Sequence, residues 1–496
     1  DTLHPEWEIW LEHASYEVLQ SLRRDSLDGV QSIRTDVNHP DEIGSIFDPS
    51  IVYAKGGRML RMLETYIGKD AFQKGLKQYF KKFAYQNTQA NDLWECLSES
   101  SGQDISIFMN TWINQSGFPV VDISQDGNTL KLSQKQFFIG PHPDSDKLWP
   151  IPLNATSAEI PTILSEKELS IEVSDPNTVR LNTGGTAHFI TRYSKEMLAN
   201  ILNSLEELSD IDRLQLLHEQ TLLAQAGLIS TAELIPLLQR YKDESIEAVW
   251  NIISVAINEL KRFVETDETA EKKLRKFVGT LARTQFERLG WEIKSGEPDT
   301  DTKFRGLIIA QMLYSEDEAV VAQAKHLFDT TAIEDLDPEL RASIMAVNVR
   351  TAKDSSVIDT LLKKHRETSN SELQEDIVLA LTSTKDDASI DRLIKLFKDP
   401  SVVRLQDFPR WFVWLMRNRF GREKVWTWTR DNWDWIAEQY KGDMHFDSIP
   451  RYVASSLITP SQLDDYIEFF TPLKKEIALK RNIEIGIGEL TGRVEL

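Results

Sequence analysis

The chain has 496 residues, which is too long for one ordinary hydrophobic core, so we expect two to four domains. Asp and Glu number 78 against 57 Lys and Arg, and the formal net charge is −21. An acidic balance of this size repels phosphate groups. It therefore argues against nucleic acid or an anionic membrane as a partner.

Cys96 is the only cysteine, which excludes a disulfide within the chain and a cysteine-rich zinc site. This fits a reducing compartment, and we expect a cytoplasmic protein. We interpret Cys96 as a small buried hydrophobic residue rather than a nucleophile. No apolar run approaches the roughly 20 residues that cross a bilayer. The chain opens on Asp1 and not on methionine, so we expect further sequence before it.

Residues 1–117 are predicted to form helices. One helix is expected to start at Pro5, since apolar residues follow at the spacing of one helical face: Trp7, Trp10, Leu11 and Ala14. Another is expected to start at Asp48 and Pro49, where a side-chain acceptor precedes a residue without an amide hydrogen. Gly68 can end that helix.

Residues 118–193 change to short segments with period-two alternation, which is typical of strands. The predicted strands are 120–124, 129–134, 169–173, 179–182 and 187–193, with a hairpin turn at 125–128. They predict a small β-sandwich domain. Residues 194–496 return to many helices with short polar breaks, which predicts an α-solenoid of degenerate HEAT-like helix pairs. The predicted fold is therefore mainly α with a small β-sandwich, in several domains.

Two ordered motifs carry a family resemblance: FDPSIVYAKGGRMLRML at 47–63 and WINQSGFPV at 112–120. LHPEW at 3–7 and LWPIPL at 148–153 add to it. Together they resemble the aminopeptidase N branch of the zinc aminopeptidases, a gluzincin metallopeptidase family. The resemblance implies that residues 1–117 are the remainder of a thermolysin-like catalytic domain, followed by the small β-domain and a helical superhelix.

Tyr53 is the candidate catalytic residue. A phenol stays protonated at neutral pH and can donate a hydrogen bond to an oxyanion at an attacked carbonyl. Gly56 and Gly57 follow one turn later on the same side and leave room for close approach. The residues alone favour a tyrosine packed in a core beside a tight helix crossing. The resemblance reverses that preference, since it implies that the tyrosine of Tyr-x-Lys-Gly stabilises the tetrahedral intermediate.

The resemblance also implies a zinc ion, a glutamate that activates its water, and an upstream Gly-x-Met-x-Asn strand that binds the free amine of a peptide. The sequence contains neither that strand nor a His-Glu-x-x-His helix. We therefore expect zinc in the full-length enzyme and none bound by this chain, which would be inactive by itself. The expected partners are peptide substrates and a missing N-terminal region of the same protein.

His218 and Glu219 begin like a zinc-protease helix, but Leu222 occupies the position of the second histidine. We interpret them as a solvated helix position. Six tryptophans crowd together with five arginines between residues 410 and 435. They could line a substrate cavity, but aromatic residues at helical spacing usually pack in a core, so we favour packing.

Two hypotheses remain open. The chain is either the C-terminal portion of a zinc aminopeptidase or a metal-free solenoid scaffold that binds peptides or a protein partner. Tyr53 and its adjacent glycines favour the first, because a scaffold has no need of them.

Overall fold

The computed structural model describes residues 3–441 and 444–495. Contacts within the chain divide it into two compact units, one that extends to Arg240 and one that covers Tyr241–Glu495. Among the described residues, no helix is both long enough and apolar enough to cross a bilayer.

The first unit is helical at both of its chain ends, with strands between. Two of its helices begin or continue through a π-helical segment, Ala14–Val18 and Ser50–Lys55. Its α-helices are α1 (Ile9–His13), α2 (Leu19–Asp25), α3 (Ile43–Ile46), α4 (Gly56–Ile67), α5 (Lys69–Lys82), α6 (Ala90–Ser101), α7 (Ile105–Asn114), α8 (Lys195–Asn203), α9 (Asp210–Gln225) and α10 (Leu234–Arg240).

The strands form two small sheets. They are β1 (Pro119–Asp126), β2 (Thr129–Gln136), β3 (Ile151–Pro152), β4 (Ile163–Leu164), β5 (Glu168–Glu172) and β6 (Ile190–Tyr193). The larger sheet has the order β5-β2-β1-β6, in which β1 and β6 run parallel and the other pairs antiparallel. Strands β3 and β4 form a separate antiparallel pair. One core cluster takes side chains from both sheets and from α4, α6 and α7.

The structure corrects two sequence predictions in this unit. Residues Pro5–Trp7 form only a 3-10 turn, and α1 begins after Glu8, whose φ of 45° is left-handed. Trp7 is consequently exposed instead of sharing a buried helix face. Residues 179–182 are not a strand, although Val179 and Leu181 are buried. The hairpin between β1 and β2 is confirmed, and Cys96 is buried as predicted.

The second unit is entirely helical in the residues described. Its helices are α11 (Glu247–Phe263), α12 (Glu268–Leu289), α13 (Asp299–Tyr314), α14 (Glu318–Thr330), α15 (Pro338–Thr351), α16 (Ser356–Glu367), α17 (Ser371–Thr382), α18 (Asp387–Leu396), α19 (Phe408–Arg417), α20 (Arg422–Asp431), α21 (Trp433–Tyr440), α22 (Met444–Ala454), α23 (Pro460–Phe470) and α24 (Ile477–Glu495). Alternate helices pack on each other, from α11 through α13, α15 and α17 to α19.

The tryptophan-rich stretch belongs to the core of the second unit, so the packing interpretation is confirmed. Trp411 and Trp426 have no exposed surface, and the others lie in or against the same apolar cluster. The neighbouring arginines pair with carboxylates, as Arg410 does with Glu375 at 2.6 Å. The mainly helical fold is thus established, while the boundaries 1–117, 118–193 and 194–496 stay predictions.

Two glycines of α24 provide a matched test of its packing. A Cβ on Gly486 would lie 2.3 Å from the hydroxyl of Tyr466. That hydroxyl is buried and donates a hydrogen bond to the carbonyl of Pro450. A Cβ on Gly488 would meet nothing within 4 Å. We expect Gly486→Ala to lower the free energy of unfolding by about 1–3 kcal/mol. Gly488→Ala should raise it by up to about 1 kcal/mol, since alanine favours the helix. Urea unfolding of both variants measures the difference, and equal effects would contradict this packing.

Candidate functional site

Tyr53 lies in the π-helical segment Ser50–Lys55 that leads into α4, and its side chain is 63% exposed. Its ring contacts Phe47 edge-to-face, with centroids 5.8 Å apart. The alternative of a core tyrosine is therefore wrong for this chain. π-Helical turns are rare and occur frequently at functional sites. The predicted helix does end at Gly68, but the sequence did not reveal the π-helical turn that presents Tyr53.

Asp48 holds the start of this segment. Its Oδ1 accepts a hydrogen bond from the backbone N–H of Ser50 at 3.0 Å, which caps the first turn as the sequence predicted. Its Oδ2 accepts a charge-assisted hydrogen bond from Nε of Arg24. The Asp48 carboxylate is thus fixed on both oxygens, and the segment has a defined starting point.

Lys55 holds the other end. Its side chain has no exposed surface, and its Nζ lies 2.8 Å from Oδ2 of Asp25. The same Nζ donates to the carbonyls of Gln115 at 3.3 Å and Gly117 at 3.1 Å. A buried ammonium group is tolerated only when it is paired and its protons are bonded. Lys55 meets both conditions.

Asp25 is the centre of the buried group. Its Oδ1 accepts from the backbone N–H of Gly117 at 2.9 Å, and its Oδ2 lies 3.3 Å from Nε2 of His188. We call Asp25, Lys55, Gly117 and His188 the Asp25 cluster. Burial opposes ionisation of the Asp25 carboxyl, but Lys55 and His188 outweigh it and lower its pKa. Burial lowers the pKa of His188 to about 4, so its ring is neutral at pH 7.

The Asp25 cluster joins the two sequence motifs that lie about sixty residues apart. Lys55 belongs to the first motif and Gly117 to the second, and both bind the same carboxylate. Gly117 has a φ of 84°, and a Cβ there would collide with Gln136 at 2.2 Å. Arg24 and Asp25 are adjacent at the end of α2. Arg24 binds Asp48 at the start of the Tyr53 segment, and Asp25 binds Lys55 at its end.

Gly56 and Gly57 do not lie at a tight helix crossing. A Cβ on Gly56 would come no closer than 4.0 Å to the carbonyl of Ile51, and one on Gly57 would lie 3.8 Å from His13. Both are ordinary contacts. Packing within the described residues therefore does not explain these glycines, and their role next to Tyr53 stays a prediction.

His218 and Glu219 contradict the interpretation as a solvated helix position, because only 3% and 2% of their surfaces are exposed. Burial lowers the pKa of His218 to about 3 and raises that of Glu219 to about 8, although Nε2 of Gln215 donates to Glu219 at 2.8 Å. Helix α9 is buried on almost all sides from Leu214 to Ala224. The polar residues within this stretch gave no sign of that burial in the sequence.

The chemistry available from these residues is hydrogen-bond donation. The exposed phenol of Tyr53 can donate to a developing oxyanion, while the charges of the Asp25 cluster are paired and buried. Among residues 3–441 and 444–495, no three His, Cys, Asp or Glu side chains are placed to hold a metal ion. Since catalytic zinc takes three protein ligands, the residues described do not fit a zinc site.

Breaking the Asp25–Lys55 pair should destabilise the protein strongly. Lys55→Met leaves the Asp25 carboxylate buried without its partner, which typically costs about 3–5 kcal/mol. Adding Asp25→Asn should recover part of that loss, since the charge disappears. Chemical denaturation of the single and double variants measures the coupling, with the exposed Lys81→Met as control. If Lys55→Met matches the control, the pair does not hold the segment.

The buried Glu219 should make stability depend on pH. Its pKa is raised in the fold, so folding takes up a proton, and stability falls as pH rises from the unfolded value of 4.5 towards 8. The slope approaches about 1.4 kcal/mol per pH unit. We expect Glu219→Gln to remove this part of the slope between pH 6.5 and 8, because the contributions of His188 and His218 are the same in both proteins and cancel in the comparison. Unfolding curves across that range test it; parallel pH profiles for the two proteins would refute it.

Comparison with known proteins gives two family matches in chain order. Residues 1–112 match the Peptidase family M1 domain, and residues 178–489 match the ERAP1-like C-terminal domain. Aminopeptidase N of Lactobacillus helveticus is 37% identical over 508 residues, covering 100% of this chain and 60% of the relative. Aminopeptidase N of Lactococcus lactis subsp. lactis is 37% identical with the same coverage. Aminopeptidase M1-A of Oryza sativa subsp. japonica is 29% identical, covering 98% of this chain and 57% of the relative.

The chain thus spans about 60% of the length of the Lactobacillus and Lactococcus relatives. The match to the C-terminal family model covers more than half of the chain, and it follows a match to the peptidase model at residues 1–112. The chain belongs to the aminopeptidase N-like M1 peptidase family, and it corresponds to a C-terminal portion of such a peptidase.

Proposed function

We propose that this chain is the C-terminal part of a zinc-dependent aminopeptidase that removes single amino acids from the N-termini of peptides. One observation carries the proposal: Tyr53 is exposed on a segment whose two ends are fixed by the buried pairs Arg24–Asp48 and Asp25–Lys55. A catalytic donor must be held in place before the reaction if it is to stabilise a transition state. The names and family of the relatives support the same conclusion.

Tyr53 supplies a hydrogen bond in this proposal. When a peptide carbonyl is attacked, negative charge develops on its oxygen, and the phenolic O–H donates to that oxygen. Gly56 and Gly57 present no side chain next to Tyr53, which leaves room for the substrate backbone. The bond is stronger to the oxyanion than to the neutral carbonyl, so it lowers the barrier instead of merely binding substrate.

Zinc, the general base and the recognition of the free amine are assigned to the rest of a longer protein, since the residues described here do not fit a metal site. The partners of this chain are then peptide substrates and a preceding region of the same polypeptide. The alternation of contacting helices from α11 to α19 supports a HEAT-like solenoid in the second unit. We further propose that this helical region encloses the substrate cavity of the complete enzyme.

The test removes one oxygen atom. In a protein restored with the upstream sequence of an aminopeptidase N relative, Tyr53→Phe should lower kcat by about 10²- to 10³-fold, because one oxyanion donor is lost. KM should change little, since the interaction forms mainly in the transition state. Steady-state hydrolysis of an alanyl chromogenic substrate measures both constants.

Tyr85→Phe is the matched control, because Tyr85 is likewise an exposed tyrosine and lies outside the candidate site. It should leave kcat unchanged. Equal activity of the Tyr53→Phe variant and the parent would refute the role of Tyr53. A restored protein that binds peptides without cleaving them would favour the scaffold hypothesis instead.

A further inference from the structure

A cavity of about 490 Å³ lies within the second unit, between helices α12, α13, α14 and α15 and the turn after α17. All of its lining residues belong to this unit. It falls in the size range of sites that bind small molecules, about 300–1,000 Å³. None of the residues that line it belongs to the candidate site around Tyr53.

The lining is cationic, although the whole chain is strongly acidic. Four cationic side chains reach the cavity, from Arg275, Lys325, Arg350 and Lys385, against the two carboxylates of Glu316 and Glu318. The carboxylate of Glu316 forms ion pairs with two of these cations, at 3.0 Å from Arg275 and 3.9 Å from Lys385. Arg275 also pairs with Glu271 at 2.6 Å. The balance of charge in the cavity is therefore positive.

Arg350 and Lys325 account for the excess charge. Within the described residues neither side chain forms a hydrogen bond or an ion pair, and both are partly buried. Burial is the main cause that lowers the pKa of Arg350; the charge of Arg275 adds to it, and the carboxylate of Glu316 offsets it only in part. A guanidinium group withdrawn from water without a carboxylate is costly, and an anion in the cavity would offset that cost.

Lys261 adds a further positive charge close to Arg275 and Arg350. Nζ of Lys261 lies 3.9 Å from the ring centroid of Tyr314, on whose ring the guanidinium of Arg275 also lies. Burial lowers the pKa of Lys261 to about 8, and the charges of Arg350 and Arg275 contribute. The buried hydroxyl of Tyr314 has no hydrogen-bond partner among the described residues. Lys261, Arg275 and Arg350 thus lie in one region, and among the described residues only Arg275 of the three is paired with carboxylates.

The remaining wall is apolar, with Leu313, Val321, Ala322 and Val347 beside the cationic groups. A free inorganic ion would leave this wall without contacts, whereas an organic molecule would cover it. The fork of donors on an arginine matches the paired oxygens of a carboxylate or a phosphate.

We propose that this cavity binds a small organic oxyanion, a carboxylate or a phosphate ester, through Arg350 and Lys325. The apolar wall contacts the body of the ligand, and the two side chains bind its charged end. The site is independent of peptide hydrolysis at Tyr53, so it stands whether or not the proposed function does.

The test uses the 496-residue chain with two probes, succinate for the carboxylate and glycerol 3-phosphate for the phosphate ester. Isothermal titration at pH 7 and constant ionic strength, with sodium chloride as the reference, should show saturable binding of at least one probe. Binding of succinate alone identifies a carboxylate site, and binding of glycerol 3-phosphate alone identifies a phosphate site. Arg350→Gln should weaken binding about tenfold or more, since charge-assisted hydrogen bonds are lost.

Arg392→Gln is the matched control, because Arg392 pairs with Asp359 and does not line the cavity. It should bind the probe as tightly as the parent chain. If Arg350→Gln does not fold, Lys325→Gln replaces it, with circular dichroism as the check on folding. The proposal is overturned if neither probe binds above the chloride reference. It is equally overturned if the cavity variants bind as tightly as the parent, or if the control loses affinity as they do.

Discussion

The buried ion pair between Asp25 and Lys55 is the constraint on which the first unit depends. Neither charge has exposed surface, so each requires the other. The backbones of Gly117 and Gln115 and the ring of His188 provide the remaining hydrogen bonds. A structure that separated these groups would leave charges buried without partners, at a cost of several kcal/mol. This requirement joins α2, the π-helical segment and the start of β1 in one arrangement, although they lie far apart in the chain.

The same arrangement explains how an exposed side chain can be held in a fixed position. Most of the Tyr53 side chain is exposed, and its ring contacts Phe47, so its position depends largely on its backbone. That backbone is held at Asp48 and at Lys55, two residues beyond the tyrosine. The buried Asp25–Lys55 pair lies two residues from Tyr53 and fixes the backbone, while the phenol itself stays exposed to a substrate. A side chain on a mobile loop would be held less precisely.

In the second unit most arginines are paired with carboxylates, but one cavity carries an excess of cations. Arginines around its tryptophan core are paired with carboxylates across helices, as in Arg422 with Glu265 at 2.9 Å. The cavity lined by Arg350 departs from this pattern, because its cations exceed its carboxylates. Unbalanced charge in a partly buried place is costly, and proteins commonly retain such charge where a ligand balances it. The contrast within one unit is the reason to regard the cavity as a binding site.

Local patterns in the sequence determined the helices, the hairpin, the burial of Cys96 and the tryptophan packing, because periodicity and turn chemistry act between near neighbours in the chain. They also singled out Tyr53 through its motif. Only the tertiary structure decided that Asp25 and His188 pair with Lys55, that His218 and Glu219 are buried, and that the helix at Tyr53 is π-helical. Those features depend on contacts between residues up to 163 positions apart. Burial of a polar side chain is set by what packs over it, and the residues around it in the chain carry no signal of that packing.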